Sequence, residues 1–412
     1  MVRGIQRRDF LKGAAAASAV GLAGCTGGGG GGATIRYGVL MPETGDLGSL
    51  GTTMRDGGRL PARQLEGEID FELDVQTEDT ETNPQAGISS AQSLVDSGYP
   101  GVVGPASSNV NLQVTREVFI PNSTVGISPS STAPAVTDLE DDDYIFRTCP
   151  SDALQGPVMA QVVVDEFDAS TAATLYLNDN YGQALEESFV NAFESEHDGQ
   201  VPNRVSFEPE QSSYSSQLGT ALNDNPDVLM VVGFPQSGIT LFRDYYSNYA
   251  DDYGGSVIVP DGLIDSSLPE EVGNDMEDVW GTAPSAAGPG ADFFANLYEE
   301  EWGNSPEVFN AQSYDAAAVL ILASVAADAD EPDGTAVRDN IRTVANPDGT
   351  EVGPSELADA VGMVADGESV NYVGASSPVD FDDNGDMRAV SYDVSRYQGG
   401  GIEVQRTIEF EN

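Results

Sequence analysis

Strand-like and helix-like segments alternate along most of this sequence. Short apolar runs suited to strands include Thr34–Met41, Val228–Val232 and Ser256–Val259, and residues 174–177 form another. Between them, apolar residues recur at helical spacing over segments of helical length. Because a strand, a helix and a second strand in succession form a parallel unit, this alternation predicts an α/β fold with parallel sheets. The 412 residues are enough for two domains, each with its own core.

Two apolar runs, residues 101–104 and 125–127, end in clusters of hydroxyl side chains that we call the hydroxyl clusters. They consist of Ser107, Ser108, Ser130, Ser131 and Thr132. Ligands of open α/β sheets bind beyond the carboxyl ends of the strands, and N–H groups at a helix start attract carboxylates. We therefore predict a carboxylate site here, with Ser or Thr capping a helix after the second cluster. The alternative is that both clusters are ordinary serine-rich turns.

Acidic residues outnumber basic residues along the whole chain. Asp and Glu total 68 against 17 Lys and Arg, which gives a formal net charge of −51 at pH 7. Because the acids are spread out rather than gathered in one tail, we expect a solvated surface suited to high salt, where screening weakens repulsion. Nucleic acid and anionic membranes are poor partners for such a surface. The alternative is a surface that collects calcium ions.

The first residues form an export signal. Arg7 and Arg8 precede an apolar stretch that is too short to span a bilayer, as in twin-arginine signals. The sequence Leu-Ala-Gly-Cys that ends at Cys25 resembles a lipobox, and leaders of that kind are cut before a cysteine that then carries lipid. We therefore assign residues 1–24 to the signal and residues 25–33 to the lipidated cysteine and a glycine tether. The alternative is an apolar N-terminal helix.

The remaining reactive residue types favour no catalytic or metal site. With Cys25 consumed by processing, Cys149 has no disulfide partner, and His197 is the single histidine. The sequence contains no zinc cluster, nucleophile elbow or nucleotide-binding loop, so we expect neither an enzyme nor a cofactor. Residues 380–385 match the opening of an EF-hand calcium loop, but Ser391 stands where the bidentate Glu belongs. We interpret that segment as a turn between strands.

Six short motifs are shared, in order and in approximate spacing, with one family of transport proteins. They are GVLMP at 38–42 with TGD at 44–46, GPASS at 104–108, ISPSST at 127–132, FRT at 146–148, NYG at 180–182 and YDA at 314–316. The chain thereby resembles the leucine/isoleucine/valine-binding protein family of ABC-transporter solute receptors. The resemblance implies the type I periplasmic-binding fold, in which two doubly wound Rossmann-like lobes with parallel sheets are joined by a three-segment hinge.

The resemblance also implies that each lobe is discontinuous in sequence. Lobe 1 is expected to comprise residues 34–147 plus 286–380. Lobe 2 is expected to comprise residues 148–285 plus 381–412. The chain would then cross between the lobes three times.

Residue by residue, the resemblance implies ligand-binding roles on both lobes. The hydroxyl clusters match positions that hold the carboxylate of an amino acid, and Thr132 also matches one that helps to hold the ammonium group. Tyr181 matches an aromatic contact from the other lobe, and Asp261 matches an acid that pairs with the ammonium group. Leu50 and Phe234 fall at positions that shape the pocket for the ligand side chain in family members. The family commonly has an aromatic residue at the position of Leu50, and tyrosine or a similar residue at the position of Phe234. The alternatives are core packing for the two aromatic residues and a turn for Asp261.

Together these patterns predict an extracytoplasmic binding protein held at the membrane surface by a lipid anchor. We expect it to bind a branched-chain or related amino acid by hinge closure and to deliver it to the permease and ATPase subunits of an ABC importer. The alternative is a receptor-type sensor of a small amide, urea-like or aromatic solute that uses the same fold.

The charge balance predicts that the protein loses stability as salt is removed. Lowering the ionic strength from 1 M to 0.1 M lengthens the Debye length from about 3 Å to about 10 Å, so repulsion among surface carboxylates increases. We expect the melting temperature to fall over this range, as measured by calorimetry in sodium chloride. An unchanged melting temperature would contradict the high-salt interpretation, and rescue by millimolar calcium alone would favour the calcium-collecting surface.

Overall fold

The computed structural model describes residues 33–345 and 349–411, with the side chains of residues 410 and 411 left aside. The export signal and Cys25 therefore lie outside the described residues. The first large sheet has five parallel strands in the order β2-β1-β3-β4-β5. These strands are β1 (Thr34–Met41), β2 (Glu72–Asp79), β3 (Gly101–Val103), β4 (Val125–Ser128) and β5 (Ile145–Arg147).

The second large sheet has seven strands in the order β14-β13-β10-β9-β8-β6-β7. Its strands pair in parallel except at β13, which pairs antiparallel with both β10 and β14. They are β6 (Thr171–Leu177), β7 (Gln200–Phe207), β8 (Val228–Val232), β9 (Ser256–Val259), β10 (Val279–Pro284), β13 (Ala389–Gln398) and β14 (Gly401–Glu411). A separate parallel pair is formed by β11 (Thr350–Val352) and β12 (Val370–Tyr372).

Helices cover the faces of both large sheets. They are α1 (Gly48–Leu65), α2 (Pro84–Asp96), α3 (Ser108–Val114), α4 (Ile120–Asn122), α5 (Pro134–Thr137), α6 (Asp152–Phe167), α7 (Asn180–Glu196), α8 (Ser215–Ala221), α9 (Pro235–Asn248), α10 (Leu268–Val272), α11 (Ala291–Trp302), α12 (Asn310–Ala326), α13 (Gly334–Ala345) and α14 (Leu357–Ala365). A π-helical stretch, Thr115–Phe119, connects α3 to α4. Of the helices in the described ranges, none is both long and apolar enough to cross a membrane.

The alternation read from the sequence is confirmed as an α/β fold with parallel strands. The apolar runs at 34–41, 228–232 and 256–259 coincide with β1, β8 and β9. The run at 174–177 is the end of the longer β6. These strands are almost entirely buried because helices lie on both faces of a parallel sheet, which is why they read as continuous apolar runs.

The helices divide between the two sheets. We call the first sheet with α1–α5 and α11–α14 lobe 1, and the second sheet with α6–α10 lobe 2. In lobe 1, α12 packs against α1, β1, β3 and β4, and it is buried on nearly every face because its residues are apolar all round. The lobes also contact each other away from the chain crossings, through α1 with α9 and through α3 with α7. The cleft between them is therefore closed.

The segment that resembles a calcium loop forms a tight turn, as the sequence predicts. Phe381 and Met387 form an antiparallel bridge, and the Asp382 N–H donates to the Asp386 carbonyl oxygen at 2.8 Å. The Asp382 carboxylate accepts the backbone N–H groups of Asn384 and Asp386 at 2.8 and 3.0 Å. This carboxylate is therefore a turn acceptor, and the turn presents Asp386 to lobe 1.

A buried guanidinium connects this turn to lobe 1. Arg147, at the end of β5, is 1% exposed, and its Nε lies 2.6 Å from the Asp386 carboxylate. Its Nη1 donates to the carbonyl oxygens of Ser131 and Ala133 at 3.1 Å, and its Nη2 donates to the Thr137 hydroxyl at 2.6 Å. One side chain thus fixes the second hydroxyl cluster and a chain crossing between the lobes.

Replacing this guanidinium should destabilise the whole protein. In Arg147→Met, Asp386 loses its cation and the buried Ser131 carbonyl oxygen loses its donor, which typically costs about 3–5 kcal/mol for a broken buried pair. We expect a loss of at least about 3 kcal/mol in the free energy of unfolding, measured by guanidinium chloride denaturation.

The matched control is Arg243→Met, because Arg243 pairs with Glu271 on the surface and is half exposed. Exposed pairs of this kind contribute about 0–1 kcal/mol. Equal denaturation midpoints for the two variants would contradict the role given to Arg147.

Candidate functional site

A small cavity of about 10 Å³ lies between the lobes. It is reached by segments that follow β1, β3 and β4 in lobe 1 and β6, β8 and β9 in lobe 2, the position at which open α/β sheets bind ligands. Ligand pockets are commonly about 300–1,000 Å³, so the lobes lie closer together here than a bound solute would require. Its walls are formed by Leu47, Leu50, Met54, Ala106, Ser107, Ser108, Ser130, Tyr181, Phe234, Asp261, Gly262 and Phe309.

The structure brings most of the predicted site residues together on this cavity. The predicted residues on its walls are Leu50, Ser107, Ser108, Ser130, Tyr181, Phe234 and Asp261. The other two, Ser131 and Thr132, follow Ser130 in the same loop but are not part of the walls. Contact of all the predicted site residues with a ligand remains a prediction.

The hydroxyl clusters form a tightly bonded loop in lobe 1. Ser128, at the end of β4, donates its hydroxyl to the Pro105 carbonyl oxygen at 2.6 Å and accepts the Ser131 N–H at 3.0 Å. The Ser130 hydroxyl donates to the Ala106 carbonyl oxygen at 3.2 Å. The hydroxyl groups of Ser128 and Ser130 therefore hold the loop together, and Ser130 also lies on the cavity wall.

Two hydroxyl groups of the loop have no such role. Ser131 and Thr132 are buried, and neither hydroxyl makes a hydrogen bond of ordinary geometry within the described part of the chain. The backbone around them is fixed, because the Thr132 carbonyl oxygen accepts the Asp152 N–H at 2.8 Å. A buried polar group without a partner is costly, so the Ser131 hydroxyl is an available donor, whereas the Thr132 hydroxyl lies close enough to Asp152 to lower the pKa of that carboxyl group.

The helix predicted after the second cluster is shorter than a carboxylate seat requires. α5 has four residues, and its N-cap is Ala133 rather than Ser or Thr. The Ala133 N–H is taken by the Ser108 hydroxyl at 3.2 Å. The expectation of a Ser- or Thr-capped helix is therefore wrong, because hydrogen bonds between the two clusters cap this turn instead.

Two stacked aromatic rings and an acid form the lobe 2 wall. The rings of Tyr181 and Phe234 lie 5.3 Å apart, centroid to centroid, with an interplanar angle of 5°. The Tyr181 hydroxyl donates to Asp261 Oδ2 at 3.3 Å and accepts the Gly262 N–H at the same distance. A Cβ at Gly262 would lie 2.5 Å from the Gly233 carbonyl oxygen, so only glycine fits this close approach.

Two buried carboxyl groups lie in this part of the site. Asp261 is 3% exposed, and its Oδ1 has no hydrogen bond of ordinary geometry within the described ranges. Burial raises the pKa of Asp261 to about 6, against the opposing effect of the Gln155 side chain. Asp152, the first residue of α6, is fully buried, and neither of its oxygens has a partner of ordinary geometry there. Burial and the nearby charge of Asp261 raise the pKa of Asp152, against the opposing effect of the Thr132 hydroxyl and of Arg147. An arriving cation would relieve both groups.

The sequence did not indicate several of these residues. Asp152 directly follows Ser151, whose hydroxyl caps α6, so it reads as an ordinary acid in a first helical turn. Phe309 precedes α12 with a φ of 67°, outside any periodic pattern, and lies far along the chain from the other wall residues. Leu47 and Met54 read as core positions. Asp152 could have been found from its place beside a predicted lobe crossing, whereas the apolar residues carry no sequence signal.

The other reactive residues lie away from the cavity. Cys149 is buried beside the Ser128 carbonyl oxygen, and burial raises the pKa of its thiol. His197 is the residue at which α7 ends, as expected of a solvated helix end. Over the described ranges, no group of three or more His, Cys, Asp and Glu side chains is placed to hold a metal ion.

The fold and the cavity define a class of protein. Two α/β lobes that close over a small buried cavity, lined by hydroxyl, carboxyl and aromatic groups, are the architecture of a solute-binding protein. The periplasmic binding protein family matches residues 34–384, so the chain belongs to that family. A twin-arginine translocation signal matches residues 4–24, which confirms the predicted export from the cytoplasm. The family consists of binding proteins rather than enzymes, as the sequence predicted.

Two curated relatives are similar over nearly their whole length. The chain is 28% identical over 391 residues to the chemotactic signal transduction system substrate-binding protein BasB of Halobacterium salinarum, covering 92% of this chain and 90% of that protein. It is 24% identical over 375 residues to the Leu/Ile/Val-binding protein BraC3 of Rhizobium johnstonii, covering 90% and 93% of the two chains.

Solved structures show the same fold. The leucine-binding protein LivK of Thermotoga maritima has a TM-score of 0.76 at 24% identity, covering 91% of this chain and 98% of that one. The substrate-binding protein LivJ of Streptococcus pneumoniae, solved with isoleucine, has a TM-score of 0.75 at 18% identity, covering 92% and 100%. A solute-binding protein of R. palustris, solved with benzoate, has a TM-score of 0.73 at 16% identity, covering 92% and 98%. These likenesses confirm the type I periplasmic-binding fold.

Proposed function

We propose that this protein binds a branched-chain or related amino acid in the cleft and delivers it to an ABC importer. The observation that carries the proposal is the pair of buried carboxyl groups, Asp152 and Asp261, together with the buried hydroxyls of Ser131 and Thr132. An amino acid presents an ammonium and a carboxylate a short, fixed distance apart. The acids suit the first group and the hydroxyl donors suit the second.

The side-chain pocket of the proposed ligand is apolar. Leu50 and Phe234 lie on walls that also include Leu47, Met54 and Phe309, and none of the wall residues is Lys or Arg. Such a pocket favours an aliphatic side chain over a charged one, because a buried charge needs a partner. The relatives named as Leu/Ile/Val-binding proteins support this class of ligand.

Closure of the lobes would couple binding to delivery. The donors belong to lobe 1, whereas Tyr181 and Asp261 belong to lobe 2, so a ligand that contacts both favours the closed arrangement. We propose lobe bounds of 34–147 plus 286–380 and of 148–285 plus 381–412. The hinge would consist of the three segments at which the chain crosses between these parts.

A second candidate function is ligand presentation to a sensory receptor. The relative named as a chemotactic signal transduction substrate-binding protein is similar over nearly the whole chain. An aromatic or amide solute is the corresponding alternative for the ligand, because the stacked rings of Tyr181 and Phe234 offer a flat apolar surface. The acids would then be protonated and act as hydrogen-bond donors.

Removing the charge of Asp261 should weaken amino-acid binding selectively. Hydrogen bonds to charged groups contribute about 1.5–3 kcal/mol, so Asp261→Asn should bind leucine about tenfold to a hundredfold more weakly than wild type. Binding of 4-methylpentanoate, which has the carboxylate but no ammonium group, should change little. Calorimetric titration in high salt measures both affinities, and Thr132→Val should also weaken leucine binding.

The control is Asp244→Asn, because Asp244 lies on α9 outside the cavity and accepts bonds from Ser213 and Tyr214.

Wild-type affinity for leucine should fall as the pH drops through about 6, since the raised pKa of Asp261 means that it takes up a proton there and loses its charge. If Asp261→Asn binds leucine as wild type does, Asp261 is a turn residue. If wild type prefers benzoate or leucinamide to leucine, the second ligand class is correct.

The proposed lipid anchor on Cys25 is tested separately. If the cysteine carries lipid, Cys25→Ala should release the exported protein from the membrane into the soluble fraction, and Arg7→Lys/Arg8→Lys should retain the precursor inside the cell. Immunoblotting of cell fractions after high-salt washing measures both outcomes. Retention of Cys25→Ala on washed membranes would contradict the lipoprotein assignment.

A further inference from the structure

The N-terminus of α9 is capped by a residue of the other lobe. α9 begins at Pro235, which has no N–H, and its N-cap is Phe234, whose side chain makes no capping hydrogen bond. The first two available N–H groups, of Gln236 and Ser237, donate to Asp46 in lobe 1. Gln236 reaches the Asp46 carbonyl oxygen at 3.1 Å, and Ser237 reaches the Asp46 carboxylate at 2.7 Å.

Asp46 is held in place by lobe 1 alone. Gly45 precedes it with a φ of 82°, and a Cβ there would meet the Glu81 carbonyl oxygen at 2.3 Å, so the turn requires glycine. On the other side of Asp46, the Leu47 N–H donates to the Thr82 hydroxyl at 3.1 Å. Asp46 is therefore presented rigidly at the edge of the cleft before any contact with lobe 2.

The receiving N–H groups are equally fixed by lobe 2. The Ser237 hydroxyl, which could cap its own helix, instead accepts the Glu210 N–H at 3.0 Å and lies 3.2 Å from the Tyr214 hydroxyl. In lobe 2 the described residues supply no side-chain cap for α9. When the lobes separate, these helical N–H groups lose their acceptor and Asp46 loses its donors.

We infer that Asp46 is a closure residue, which stabilises the closed cleft by capping α9 across the lobes without contacting the ligand. Asp46 is not part of the cavity walls, whereas the N-cap residue Phe234 is. A carboxylate is also well placed at the positive end of a 14-residue helix. The inference depends on the proposed function at one point, because the binding test uses leucine as the ligand.

Two neighbouring contacts follow the same chemistry. The Ser49 hydroxyl donates to Asp265 Oδ2 at 2.5 Å, and the Ser266 hydroxyl donates to Glu307. Each contact joins a carboxylate of one lobe to an uncharged donor of the other. Ion pairs between described residues connect the lobes only at the chain crossings. The cleft of a strongly acidic protein is thus closed by hydrogen bonds to carboxylates rather than by paired charges.

The experiment compares Asp46→Ala and Asp46→Asn with wild type. Asp46→Ala removes the carboxylate, so leucine and 4-methylpentanoate should both bind about tenfold more weakly, by the same factor, mainly through faster dissociation. Asp46→Asn keeps an acceptor of the same shape and should lose less. Asp244→Ala, which removes a carboxylate that caps a turn within lobe 2, should retain wild-type affinity.

Hydrogen exchange measured by mass spectrometry on the peptide that contains Gln236 and Ser237 gives a readout that requires no ligand. Asp46→Ala should exchange faster than wild type there, and Asp244→Ala should not. Unchanged exchange together with unchanged affinity would overturn the inference, and so would a loss confined to leucine, which would indicate direct contact with the ammonium group. Failure of wild type to bind leucine would overturn only the proposed function, because the exchange comparison still decides the role of Asp46.

Discussion

The buried guanidinium of Arg147 is the interaction on which the site depends. It neutralises Asp386, and it binds the carbonyl oxygens of Ser131 and Ala133 from behind the loop. Because those carbonyl oxygens are turned toward Arg147, the loop is held with the Thr132 hydroxyl near Asp152 and with Ser130 on the cavity wall. A neutral residue could not replace it, since the Asp386 carboxylate would lose its cation and the buried Ser131 carbonyl oxygen would lose its donor. The positive charge therefore builds a site that it does not itself line.

Polar groups in and beside the cavity are incompletely satisfied. One oxygen of Asp261, both oxygens of Asp152 and the hydroxyls of Ser131 and Thr132 are buried without a hydrogen bond of ordinary geometry among the described residues. Both acids have raised pKa values because burial disfavours their charged forms. Burying such groups without full partners costs free energy. A ligand that supplies a cation and an acceptor would offset that cost, which links occupancy of the cavity to the position of the lobes.

The charge of the protein constrains how the lobes can meet. Both lobes carry many acids, so bringing them together is opposed by repulsion that salt only partly screens. Basic residues are scarce, and most of the described ion pairs join two residues of the same lobe, such as Arg36 with Asp74 and Arg204 with Glu186. Contacts from carboxylates to hydroxyl and N–H groups need no basic residue. Acidic composition and cleft closure are compatible for this reason.

The sequence by itself determined the α/β class, several of the strands and the hydroxyl residues that follow β3 and β4. It could do so because a strand buried on both faces must be continuously apolar, and because polar residues at strand ends share one edge of a sheet. The other predicted wall residues, Leu50, Tyr181, Phe234 and Asp261, were indicated only by the resemblance to the leucine/isoleucine/valine-binding protein family. Tertiary structure alone decided that Asp152 joins Asp261, that Phe309 completes the wall, and that Asp46 caps a helix begun by Phe234 and Pro235. Each of these contacts joins residues from different lobes or from distant segments. They could not be predicted from the sequence, because helix and strand periodicity is local and does not indicate which segments pack against each other.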